Sequence, residues 1–118
     1  MNRIEVEILK PQAALDAFAE TWRHVQVGEA VTPRLAFGSL HELFSALTEK
    51  RLELMRHVAS HEGVNTYQLA RQLGRDYKNV YTDVAALVEL GLLAKDDRGE
   101  LSAPFDEIVI RAGIREVA

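Results

Sequence analysis

With 118 residues, 47 % of them hydrophobic and 27 % charged, the chain has a folded-protein composition and room for one domain plus a short appendage, not two full domains. The absence of cysteine excludes disulfides, thiolate metal sites and cysteine nucleophiles, and agrees with a reducing compartment. Lys and Arg total 14 against 18 Asp and Glu, a net charge of -4, so any nucleic-acid contact has to be local, not a bulk positive coat.

The chain opens with Ile4, Val6 and Ile8 alternating with Glu5 and Glu7, a period of two that predicts a short half-buried strand ending before Pro11. The alternation also breaks up the apolar run that a secretory signal or a membrane span needs, so a cytoplasmic location away from membranes is the expectation. Residues 12–26 carry Leu15, Phe18, Ala19, Trp22 and Val25 at three- and four-residue spacing, the stripe of an amphipathic helix. The stripe around Leu15, Phe18 and Trp22 reads as core or as a dimer interface. Gly28 to Pro33 interrupts the pattern, and Arg34 to Phe37 suits a second short strand.

Ser39 and Glu42 have the spacing of a capping box, so a helix should start there, with Leu40, Leu43, Phe44 and Leu47 as its apolar stripe. Thr48 can cap the next helix, residues 49–60, with Leu52, Met55, Val58 and Ala59 turned inward and Gly63 beyond its end. His57 and His61 stand four apart, a spacing that can hold a metal from one helical face. No third ligand accompanies them, so neither a metal nor another cofactor is expected. His24 and His41 read as surface or hydrogen-bonded core residues.

From Asn65 the pattern becomes two short helices and a tight turn. Asn65 with Gln68 is a second capping box, Leu69, Ala70 and Leu73 form a core face, and Gly74 stops the helix. Asp76 can cap a helix over residues 77–90, where its carboxylate meets the positive end of the helix dipole. Two helices joined by a glycine-containing turn can seat the second in a DNA major groove about 12 Å wide. At roughly 100° per residue, Val80, Val84 and Leu87 share one side, with Tyr77 and Val88 at its margin. Lys78, Thr82, Ala85 and Glu89 point the opposite way, and Asn79 and Tyr81 flank them. Between Asn65 and Thr82, Arg71, Arg75 and Lys78 outnumber the single acid Asp76.

Residues 92–95 and 100–103 flank Asp96-Asp97-Arg98-Gly99, the signature of a hairpin. Behind a recognition helix such a hairpin would be a wing, with Lys95 and Arg98 as phosphate contacts and Asp96 and Asp97 opposing close approach. Residues 106–110 suit a last strand that returns to the amino-terminal one. The expected fold is α+β: an amino-terminal strand-helix-strand extension over residues 1–38 and a winged helix-turn-helix domain over residues 39–118.

The run Leu69-Ala70-Arg71-Gln72-Leu73-Gly74-Arg75-Asp76-Tyr77-Lys78-Asn79-Val80, followed by Ala86-Leu87-Val88-Glu89-Leu90-Gly91-Leu92-Leu93, resembles winged-helix regulators of the MarR and ArsR type. It is similar above all to a small family of predicted prokaryotic regulators in which Arg-Asp-Tyr-Lys-Asn-Val opens the recognition helix. That resemblance, which covers about half of the chain, implies an autoregulating antitoxin with a cognate toxin as protein partner. The residues and the resemblance together predict a transcriptional repressor that binds double-stranded DNA as a homodimer. Lys78, Asn79, Tyr81 and Thr82 would enter the groove, and Arg75, Lys95 and Arg98 would meet phosphates. The competing reading is a protein-interaction module that uses the same scaffold without reading DNA. No nucleophile-base pair or phosphate-cradling glycine loop is present, so enzymatic activity is not expected.

Overall fold

A computed structural model describes residues 1–9 and 32–115. The helix expected over residues 12–26, with its apolar stripe and His24, lies outside the described residues. The chain is a mixed α/β protein that divides into two compact units: Met1–Ser45 with Glu107–Ala118, and Ala46–Asp106. The second unit is therefore inserted in the sequence of the first, and residues 39–45 and the last strand belong with the amino-terminal part. The sequence had suggested a single change of domain at residue 38.

In the first unit, β1 (Arg3–Ile8) is the central strand of a three-stranded sheet, between β2 (Arg34–Phe37) and β5 (Glu107–Arg111). Both pairings are parallel, with Val6 opposite Leu35 on one side and Ile110 on the other. The alternation seen in the sequence is physical: Ile4 and Val6 are buried, while Glu5 and Glu7 turn to the other face. There Glu5 lies 3.3 Å from Arg111 and 3.8 Å from Arg34, so the two outer strands supply cations to the central one. A short helix, α1 (Leu40–Ala46), follows β2. The Ser39 hydroxyl accepts the Glu42 amide as expected, but the Glu42 carboxylate reaches back to the amide of Gly38 instead of Ser39. Of the expected stripe only Leu43 is buried; Leu40 and Phe44 are 47 % and 62 % exposed.

The second unit begins with α2 (Glu49–Ser60), capped by the Thr48 hydroxyl on the Arg51 amide. Its buried side is Leu54, Met55 and Val58: Met55 and Val58 are inward as expected, whereas Leu52 and Ala59 face outward and Leu54 takes the buried place expected of Leu52. Two helices follow, α3 (Thr66–Leu73) and α4 (Tyr77–Glu89). The capping box is complete on α3: Asn65 Oδ1 accepts the Gln68 amide at 2.8 Å and Gln68 Oε1 accepts the Asn65 amide at 3.0 Å. Gly74 closes α3 with φ +65, a left-handed conformation in which its amide and that of Arg75 satisfy the last helical carbonyls. The core consists of Leu54, Val58, Leu69, Val80, Val84, Leu87, Leu93 and Leu101, all 2 % exposed or less.

Strands β3 (Ala94–Lys95) and β4 (Leu101–Ser102) pair antiparallel as a hairpin. The Asp96 carboxylate accepts the amides of Arg98 and Glu100, both at 2.9 Å, and thereby holds the tip. A further bond pair ties this hairpin to the stretch between α2 and α3: Gly63 donates to the Leu101 carbonyl at 2.9 Å and Leu101 donates to Val64 at 2.8 Å. The hairpin thus leans on the base of α3 as well as on the end of α4. Among the described residues no helix is long and apolar enough to cross a membrane.

Candidate nucleic-acid interface

The exposed face of α4 is built by its own burial pattern. Val80, Val84 and Leu87 are buried, which turns Lys78, Asn79, Tyr81, Thr82, Ala85 and Glu89 outward, all of them exposed. The Asp76 carboxylate caps the helix on the Lys78 amide at 2.8 Å, so the polar first turn is held rigid where the helix dipole is most positive. Thr82 donates its hydroxyl proton to the Lys78 carbonyl at 3.0 Å. Toward a ligand that hydroxyl is therefore left as an acceptor. Asn79 adds an amide that can donate and accept, and Lys78 adds an ammonium.

Tyr77, which sequence angles left between core edge and surface, is 47 % exposed and forms the middle of an aromatic row. Its ring centroid lies 6.5 Å from that of Tyr67 on α3 and 6.0 Å from that of Tyr81, with interplanar angles of 52° and 41°. A cation stands over each end of the row. The Arg71 guanidinium lies 5.9 Å from the Tyr67 centroid, and the Lys95 ammonium 5.9 Å from that of Tyr81. Lys95 thus joins the α4 face; Arg98 is exposed at the hairpin tip. Behind Tyr81 and Lys95 lies an apolar recess of about 300 Å³, lined also by Val84, Ala85, Val88 and Glu89.

Arg75 is placed differently from the sequence expectation. Its Nη2 bonds Asp83 Oδ2 at 2.8 Å, while Arg51 Nε bonds Asp83 Oδ1 at 3.0 Å and Arg51 Nη1 bonds the Ala46 carbonyl at 2.9 Å. All three side chains are about four-fifths buried or more. Burial raises the Asp83 pKa, but the hydrogen bonds and charges of Arg51 and Arg75 outweigh it and hold the carboxyl below its ordinary value. The guanidinium of Arg75 is therefore held inside the protein, locking the turn before α4 to the helix itself. Asp83 and Arg51 are the residues that the sequence reading missed. Arg75 lies in the turn before α4, outside its helical period, and Arg51 lies 32 residues from Asp83, so sequence spacing offered a signal for neither.

His57 and His61 stack face to face with centroids 4.0 Å apart. His57 Nε2 meets Gln72 Oε1 at 2.6 Å and His61 Nδ1 meets the His57 carbonyl at 3.0 Å, so the pair links α2 to α3. Among the described residues no group of three or more acidic or histidine side chains could hold a metal ion.

The fold and this surface define a small mixed α/β protein with a polar helical face beside a hairpin. Residues 46–110 match the HVO_A0114 family, and the chain belongs to that family. The matched segment takes in α2, α3, α4 and the hairpin, and ends in β5. Neither the curated proteins nor the solved structures yield a match.

Proposed function

We propose that the chain is a sequence-specific regulator of winged helix-turn-helix type that binds double-stranded DNA through α4 and the β3–β4 hairpin. The observation that carries this reading is the bare polar face at the start of α4, with Lys78, Asn79, Tyr81 and Thr82 all exposed while Val80 and Val84 anchor the helix from behind. Such a helix fits a major groove, where lysine can donate to guanine and asparagine can pair with adenine. Lys95 and Arg98 on the hairpin serve the flanking phosphates. Arg75 has a positioning role: through Asp83 it fixes the angle at which α4 leaves the turn.

Repression by a homodimer on a palindromic operator, with half-sites about 34–36 Å apart, is the form of regulation that we infer. A gel shift tests the groove assignment. Lys78→Ala should weaken binding to a duplex isolated by selection from random sequence, by about tenfold for loss of a charged hydrogen bond. Its melting temperature should stay close to that of the parent, because the side chain is exposed. Equal affinity of variant and parent would remove Lys78 from the interface.

A protein-binding role, such as an antitoxin gripping its toxin, is favoured by a separate observation. Leu40 and Phe44 lie one turn apart on α1 and are both largely exposed. The two readings separate by salt: DNA binding weakens steeply as salt rises, whereas an apolar protein contact does not.

A further inference from the structure

We infer that Arg71, Tyr67, Tyr77, Tyr81 and Lys95 form one continuous track for the phosphates of a single DNA strand, running beside the groove that receives α4. This inference rests on the DNA-binding reading, adds α3 to the interface through Tyr67 and Arg71, and moves Tyr81 from the groove to the phosphates at its edge, leaving Lys78, Asn79 and Thr82 to the bases. Three phenols in a row, each about half exposed, are an unusual use of surface area. A ring with an apolar body and a polar tip is favoured where one end is packed and the other meets a polar partner. Their mutual contacts at 6.0 and 6.5 Å hold the rings in place before any ligand arrives, which lowers the entropy cost of binding.

The row suits phosphates better than stacked bases. Arg71 and Lys95 already stand over the rings at its two ends, so what remains on offer is hydroxyls and cations instead of open faces. Three nearby acids are engaged: Asp76 caps α4, Asp83 sits between two arginines, and Asp96 holds the hairpin tip; Glu89, beside Tyr81 and Lys95, and Asp97 at the tip are exposed. An anionic strand meets Arg71, Lys78 and Lys95 along the row, with Glu89 the opposing charge at its Lys95 end. The track crosses three elements, so a strand lying on it would fix the register of α4 along the groove.

The test uses the full chain, a duplex obtained by selection, and a duplex of scrambled sequence. Arg71→Gln keeps a helix-forming side chain and removes the charge. It should lower the slope of log K against log salt by about 1 and weaken both duplexes by the same factor. Tyr67→Phe keeps the ring and removes the hydroxyl, and should weaken both about threefold or more. Unchanged slope and affinity in both variants, with Lys78→Ala still defective, would overturn the track while leaving the helix assignment in place. Failure of the parent protein to bind any duplex would overturn the DNA reading itself. Tighter binding of a single strand than of the duplex, with Tyr67→Phe neutral, would overturn the track in favour of base stacking.

Discussion

Asp83 illustrates how one side chain connects stability to the candidate interface. Its carboxylate binds Arg51 of α2 and Arg75 of the turn, so three segments of the unit meet at one charge. Removing it leaves two largely buried guanidinium groups without their partner, which costs more than the loss of an exposed ion pair. Asp83→Asn should therefore lower unfolding stability by about 2 kcal/mol at neutral pH, measured by urea titration. The pH dependence follows from the depressed pKa. In the folded state the group stays ionised to lower pH than in the unfolded chain, so its contribution is full above 3.8 and is lost as pH falls through the lower folded value. The gap between parent and variant should accordingly narrow in acid. A gap that is constant from neutral pH down through the acid range would show that the charge of Asp83 is not what stabilises the parent.

At the scale of elements, the caps determine where helices begin, and the candidate interface depends on where two of them do. Asn65 and Gln68 satisfy each other's backbone amides at the start of α3, one residue from Tyr67. Asn65→Ala should cost about 1 kcal/mol and loosen the first turn, seen as faster amide exchange at Gln68. Unchanged exchange there would mean that tertiary packing alone defines the start of α3. These elements were well legible in the sequence: both strands near the amino terminus, α2, α3, the start of α4 and the hairpin fall where periodicity, caps and glycines placed them. The inward face of α2 was legible only in part, in Met55 and Val58. Leu52 and Leu54 are equally apolar, and only the surrounding elements decide that Leu54 is buried and Leu52 exposed.

At the scale of the molecule, the core of Ala46–Asp106 is supplied by its own helices and hairpin. At about 60 residues, a unit of this kind lies in the size range in which domains can fold alone, with modest stability. The isolated segment 46–106 should therefore unfold cooperatively in urea, with a slope of about 1 kcal/mol per molar. A broad, non-cooperative transition would show that it depends on the rest of the chain. The first unit cannot be separated in the same way, because its sheet brings together β1, β2 and β5 from opposite ends of the sequence.

Sequence by itself determined the local quantities: which residues alternate, which recur at helical spacing, which cap, and which side of α4 is polar. These follow from backbone geometry and hydrogen-bonding needs within a few residues. The return of the last strand to β1 was expected, but only the tertiary structure decided the other long-range outcomes: the pairing of β1 with β2, the parallel sense of both pairings, the capture of Arg75 by Asp83, and the meeting of Tyr67 with Tyr77 across two helices. Those outcomes depend on which surfaces meet when apolar faces are buried together, and that choice is made by the whole chain competing for one core.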